Sequence, residues 1–294
     1  MNAAVADAYR DRFRRVLEYI DAHLEGELDL ERLSSIAAYS KYHFHRQFSA
    51  LYGLAVYRYV QLVRLKRASY QLAFRTEQRI IDIALGSGYE SHEAFSRAFK
   101  KAFAQTPSEF RERPEWQPWH AIQEPLSHLR SRHVTKQRSA EDVRVVNFPR
   151  TRVAVLRHLG DPALLGNSVR KFIQWRKQSK HSPAVSATFN VFWDNPEDTP
   201  ADQFRMDICA GTDREIIEND FGVFESSIPA GRCAVLRHVG GEESMVENIK
   251  FLYATWLPAS GEEPRDYPLF LQRIRLFPDV PEHESVTDIF LPLK

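Results

Sequence analysis

Arginine, tyrosine, histidine and serine recur in two stretches of this chain at the spacing of one helix face. In SKYHFHRQFSALYG, from Ser40, a turn of 100° per residue puts Phe44, Phe48 and Leu51 on one stripe. Tyr42, His45, Arg46 and Ser49 then fall on the opposite side. In SHEAFSRAFKKAFA, from Ser91, the stripe is Phe95, Phe99 and Ala102, and Glu93, Ser96, Arg97 and Lys100 face away. These outer faces hold hydrogen-bonding groups rather than a nucleophile and its base. The chemistry they suit is reading the edges of base pairs, where a helix fits the major groove and Arg pairs with guanine. Lys41, Arg58, Lys100 and Lys101 suit backbone phosphates, whose counterions a bound cation releases. His92, at the start of the second stretch, is within reach of a base or a phosphate.

The elements that must position these faces are themselves repeated. The two stretches are offset by 51 residues, with Ser40/Ser91, Phe44/Phe95, Arg46/Arg97 and Phe48/Phe99 identical. Each Ser is placed to cap a helix. Each follows a short helical pattern and a tight turn, DLERLSSIAAYS before the first and RIIDIALGSGYES before the second. Asp29 is a further candidate cap, and Gly88 gives the second turn a permissive backbone. The pattern is a helix-turn-helix, twice over. Apolar residues at helical spacing, Phe13, Val16, Leu17, Ile20 and Leu24, extend it toward the N-terminus.

A second repeat, offset by 80, lies further along. FPRTRVAVLRHLG over 148–160 matches IPAGRCAVLRHVG over 228–240 at eight of thirteen positions. A helical segment follows each copy, near 166–178 and 243–256. With VRVVNF, RMDICA and VTDIFLPL as further strands, this half reads as α+β and duplicated, strand-helix-strand-strand in each copy. Two such halves should pair about a pseudo-twofold axis, where a concave apolar pocket is expected. Trp175, Phe192, Trp193, Tyr253, Trp256 and Phe270 are the candidate ligand-lining residues. Between the two halves, 114–141 carries Pro114, Pro118 and Pro125 and reads as a linker, helical at most near LSHLRSRH. The domains are therefore 8–113, a linker over 114–141, and 142–294.

Charge divides the same way. Residues 1–140 hold 22 Lys and Arg against 16 Asp and Glu, and 141–294 hold 18 against 23, so the basic half is the one that faces a polyanion. No apolar run approaches the ~20 residues of a membrane span, and the N-terminus lacks a signal-peptide pattern. Cys209 and Cys233 form no disulfide framework and fit a reducing cytoplasm. His43 and His45, two residues apart, point to different helix faces, and no metal-ligand spacing, phosphate loop or nucleophile elbow occurs. No metal, cofactor or membrane partner is expected.

The first half strongly resembles the AraC/XylS family of transcription regulators. Ser40, Phe44, Arg46, Phe48, Gly53, Tyr59, Arg64 and Ala68 carry the match in the first copy. In the second it is Ile83-Ala84, Gly88, Tyr89, Ser91, Phe95, Arg97, Phe99, Lys100, Thr106, Pro107 and Phe110-Arg111. Ala38 and Ala104 depart from it, standing where glycine is usual. The second half resembles the GyrI-like effector-binding domain, although Leu271 and Arg273 stand where that family often has Glu and Tyr. The resemblance implies an all-α double helix-turn-helix joined to an α+β domain. It implies a long helix near 57–73 holding two readers in successive major grooves, roughly 34 Å apart. The function implied is a cytoplasmic, sequence-specific regulator or activator of transcription. Its partners would be double-stranded DNA, RNA polymerase and a small-molecule effector. The alternatives are that the second half is a hydrolase of small reactive molecules, with Glu225, Glu282 or Glu284 as base, or a protein-interaction module.

Overall fold

The computed structural model describes residues 3–123 and 138–294, and it divides into two compact units. One comprises the described residues up to 123 together with 281–283, and the other comprises the rest. The first unit is helical: α1 (Ala3–Ala22), α2 (Leu30–Ile36), α3 (Lys41–Tyr52), α4 (Val56–Phe74), α5 (Ile80–Gly86), α6 (His92–Phe103), α7 (Pro107–Glu112) and α8 over 116–123. Local chemistry starts these helices. Asp29 accepts from Arg32 N at 2.6 Å, Ser40 from His43 N at 3.3 Å and Ser91 from Ala94 N at 3.1 Å. Thr106 and Glu109 form a reciprocal capping box at the start of α7. Phe13, Phe44, Phe48, Tyr52 and Tyr59 are fully buried together at the first copy, with ring centroids 4.5–6.3 Å apart. Phe95, Phe99, Phe103 and Phe110 do the same at the second.

In this unit two turns close in the left-handed region without glycine: Ala38 has φ 55° and Ala104 φ 60°. A Cβ there costs on the order of 1–2 kcal/mol, partly offset by the extra freedom a glycine would have when unfolded. Ala38→Gly and Ala104→Gly should each stabilise the protein by about 0.5–1 kcal/mol. Urea midpoints that stay put or fall in both variants would contradict this.

The segment read as a linker from residue 114 is in part a packed helix. In α8, Trp116 stacks on Phe74 at 5.8 Å and Trp119 Nε1 donates to Ser69 Oγ at 2.7 Å, and both indoles are buried. Pro118 falls in the first turn of this helix, where its missing N–H costs nothing. The stretch LSHLRSRH lies outside the described residues.

The second unit is one curled antiparallel sheet with helices on one face. Its strands are β1 (Val143–Phe148), β2 (Thr151–Leu159), β3 (Thr188–Phe192), β4 (Arg205–Gly211), β5 (Phe224–Ile228), β6 (Gly231–Val239), β7 (Phe270–Arg275) and β8 (Val286–Pro292). Their order is β1-β6-β8-β7-β3-β4-β2-β5. The duplication is visible as β2, β3, β4 with α9 (Leu165–Gln178), and β6, β7, β8 with α10 (Glu242–Phe251) and α11 (Leu257–Ser260). The leading strand of each half is exchanged: β1 pairs with β6, and β5 with β2. The exchange forces the curl. β1 lies at one edge and β2 next to the other, yet only Pro149 and Arg150 join them, so the edges approach within about 11 Å at that end.

Candidate functional site

The two Arg-bearing helices, α3 and α6, present the expected faces. Phe44 and Phe48, and Phe95 and Phe99, are buried, whereas Lys41, Tyr42, His45 and Arg46 on α3 and His92, Glu93, Arg97 and Lys100 on α6 are exposed. Ser49 and Ser96 are half-buried. On α3, the Arg46 guanidinium sits 4.9 Å over the Tyr42 ring, one helical turn away. That stacking limits the rotamers of a long side chain before anything binds, so less entropy is lost when it docks. Lys41 pairs with Glu31 at 2.8 Å, but both side chains are more than half exposed, and a phosphate could replace the carboxylate at little cost. Glu93 differs from its neighbours. Its own backbone N–H and the Ser91 hydroxyl hold its carboxyl below the usual carboxylate range, so it serves the helix start. α4 joins the two copies and runs over the length the family resemblance implied.

The six aromatic residues expected to line one pocket are instead distributed over separate clusters. Trp175 is buried under α9, stacked on Phe172 at 5.3 Å and on His181 at 4.9 Å. Trp256 is buried with Met245, Leu252 and Leu271 below the helices of the other half. Phe270 is fully buried on the opposite, concave face, stacked on Phe290 at 4.8 Å. Phe192 packs into both helix-side clusters, and Tyr253 is about half exposed. The correction has a simple cause: spacing marks these residues as apolar-facing but cannot assign them to one side of a sheet or the other.

The concave face has its own polar pattern, which the repeat could have revealed. Arg157 is bidentate on Asp207 at 2.7 and 2.9 Å, and Arg237 on Asp288 at 2.7 and 2.8 Å. The Arg157 guanidinium lies between the rings of Trp193 (5.4 Å) and Phe224 (5.8 Å), both more than a third exposed. Trp193 Nε1 also donates to Asp207 at 2.7 Å. Tyr267 packs against Trp193 at 6.0 Å, and burial raises its hydroxyl to about 12. On β7 the residue turned to this face is Gln272, paired across from Asp288; Leu271 is buried on the helix side. Between these ends Phe148, Phe189, Phe270 and Phe290 fill the face.

The carboxylates named as bases are all spent in ion pairs. Glu225 accepts from Arg152 at 2.8 Å, which holds its carboxyl low, the wrong direction for a general base at neutral pH. Glu284 pairs with Arg275, and Glu282 is buried and ion-paired.

Two histidines from the repeat latch strand to helix. His158 meets Ser168 Oγ at 2.9 Å and Asp161 O at 3.1 Å. His238 Nε2 donates to Gly241 O at 2.9 Å, which leaves Nδ1 to accept from Asn248 at 2.7 Å. Asn248 in turn accepts from Arg138 at 2.9 Å. Burial pushes the His238 imidazole below its ordinary 6.5, and Arg138 and Arg273 push it the same way. The unfolded chain therefore takes up this proton first as pH falls. Stability contributed by neutral His238 is complete above about 6.5 and is lost as pH drops through the folded-state value. The thermal midpoint should fall between pH 7.5 and 5, and less steeply in His238→Gln; equal slopes would remove this residue from the account.

Comparison with known proteins places both units. A model described as GyrI-like small molecule binding domain matches residues 141–294, and a helix-turn-helix domain model matches 33–113. The probable transcriptional regulator YgiV of Escherichia coli is 40% identical over 153 residues, 52% of this chain and 96% of that protein. The right origin-binding protein of Escherichia coli is 39% identical over 113 residues, 38% of each chain. The regulatory protein SoxS of Salmonella typhimurium is 32% identical over 106 residues, 36% of this chain and 98% of that protein.

Proposed function

Because the chain belongs to the GyrI-like small-molecule-binding family through residues 141–294 and carries an AraC-type helix-turn-helix domain, we propose that it is a cytoplasmic transcription regulator whose two reader helices each engage a major groove. The observation that carries this reading is the matched pair of capped, Arg-bearing helices, each with an exposed polar face, joined by one helix. Arg46 and Arg97 read bases. Tyr42, His45, Ser49, His92 and Ser96 flank them, and Lys41 and Lys100 hold phosphates. One chain then reads two elements without dimer symmetry, so the site is two unlike or direct elements rather than a palindrome. RNA polymerase is the partner at the promoter.

The effector enters the concave face at Trp193, Phe224 and Tyr267. The two acids of that face already hold arginines, which favours a neutral, flat, apolar ligand over a cation. A change in DNA affinity then requires that the ligand bind two states of the protein differently.

Selecting genomic fragments bound by the full chain, with and without candidate ligands, tests the reading. A recurrent pair of elements about one helical turn apart is expected, and purely palindromic sites or no enrichment would refute it.

A further inference from the structure

We propose that Arg64 sets the register between the two reader helices, and so fixes the spacing of DNA elements that the protein accepts. The proposal rests on the DNA-reading assignment of α3 and α6 above. Arg64 lies near the middle of α4, half-buried, and its guanidinium bridges the two copies of the helix-turn-helix. Nε donates to Leu24 O at 2.9 Å and Nη2 to Gly26 O at 2.6 Å, both in the turn that precedes α2 of the first copy. Nη1 donates to Gly88 O at 3.2 Å, in the turn that leads into α6. Its acceptors are thus backbone carbonyls from opposite sides of one seam.

The seam is closed to any side chain. Gly88 has φ +71°, and a Cβ built there would meet the Arg64 guanidinium at 2.5 Å and Leu24 O at 2.8 Å. The backbone of the turn before the second reader therefore lies directly against the first copy. Alongside it is a shallow recess of about 210 Å³ between Tyr57, Gln61 and Tyr89.

α4 fixes the distance between the copies and packs its C-terminal half against α5 and α7 of the second, so the freedom left to restrain is a small roll of one copy against the other. Three donors in a planar fork, reaching both sides, stop that roll. Lysine cannot do the same, because a point charge with no planar fork satisfies one side at a time. Roll matters because two linked readers gain from each other only where the linkage matches the span of their sites. Inserting one base pair shifts one element by about 3.4 Å and turns it by roughly a tenth of a helical turn.

The test compares the full chain with Arg64→Lys on a selected site and on the same site lengthened or shortened by one base pair between its elements. The wild type should lose about tenfold in affinity at either altered spacing, and the variant no more than about threefold. A second measurement needs no DNA. Spin labels at Ala50→Cys on α3 and Lys101→Cys on α6 report the distance between the readers, since the native Cys209 and Cys233 are buried. That distance distribution should broaden in Arg64→Lys.

An unchanged distribution overturns the proposal. So does a broadened one that leaves spacing discrimination intact. If the wild type binds no DNA specifically, the DNA reading fails, while the distance measurement still decides the clamp. If Arg64→Lys loses its helical circular dichroism, Arg64→Gln replaces it. Loss of the fold in both would mean that Arg64 holds the domain together rather than tuning it, and the proposal fails.

Discussion

Arg97→Ala should weaken binding to the specific DNA site by about 1–3 kcal/mol, roughly fivefold to 150-fold, and relax the base preference at one position. Arg46→Ala should do the same at the other element. Both side chains are exposed on helices whose buried stripes are far from them on the wheel, so neither change should alter the melting temperature by more than a degree or two. The Arg46 result carries a further expectation. Its stacking on Tyr42 prepares the guanidinium, so Tyr42→Ala should cost affinity too, though less. By contrast Lys100→Ala should weaken all sequences alike and shallow the salt dependence by about one charge. Gel shifts in which Arg46→Ala and Arg97→Ala both bind and discriminate like the wild type would end the assignment of these helices as readers.

The second large effect belongs to the other unit. Arg176 is 5% exposed, and its guanidinium donates to Ser186 O and Thr188 Oγ1 at 2.6 Å and to His181 O at 2.5 Å. Burial lowers its pKa to about 10, yet it remains charged at neutral pH. It ties the end of α9 to the loop before β3 by hydrogen bonds to neutral acceptors. Arg176→Met keeps the aliphatic stem but strands two buried carbonyls and the half-buried Thr188 hydroxyl, each buried one costing about 1–3 kcal/mol when unsatisfied, so a loss of about 3–5 kcal/mol is expected. Urea unfolding checks it. A loss below about 1 kcal/mol would mean that water replaces the guanidinium without penalty.

What was legible in the sequence was what is local. Asp29, Ser40 and Ser91 cap the helices they precede, because a cap depends on three or four residues. The buried and exposed faces of α3 and α6 follow from a period that one helix sets by itself. The positive φ at Ala38 and Ala104 was signalled by glycine being usual there. The strands TFNVF and FESSI were not read: the first is short, the second polar, and neither alternates over enough residues. α8 was hidden by its prolines, since composition does not distinguish a proline in a first turn from one in a loop. That the six aromatic candidates fall into separate clusters was hidden for a longer-range reason. Trp175 and Trp256 lie in two separate clusters on the helix side and Phe270 on the concave side, and that assignment depends on strand order, which no single segment encodes. Arg64 was visible as a family match, but its carbonyl acceptors lie 24 to 40 residues away.

The exchange of β1 and β5 limits how the second unit can move. A duplicated domain with self-contained halves could part along its midline like a pair of jaws. Here each half is stitched into the other by a strand it does not own, on top of the central β3/β7 ladder. Separation would tear three ladders at once, so any message a ligand sends must travel as a flexing of one continuous cradle, and the two halves should melt together rather than in sequence.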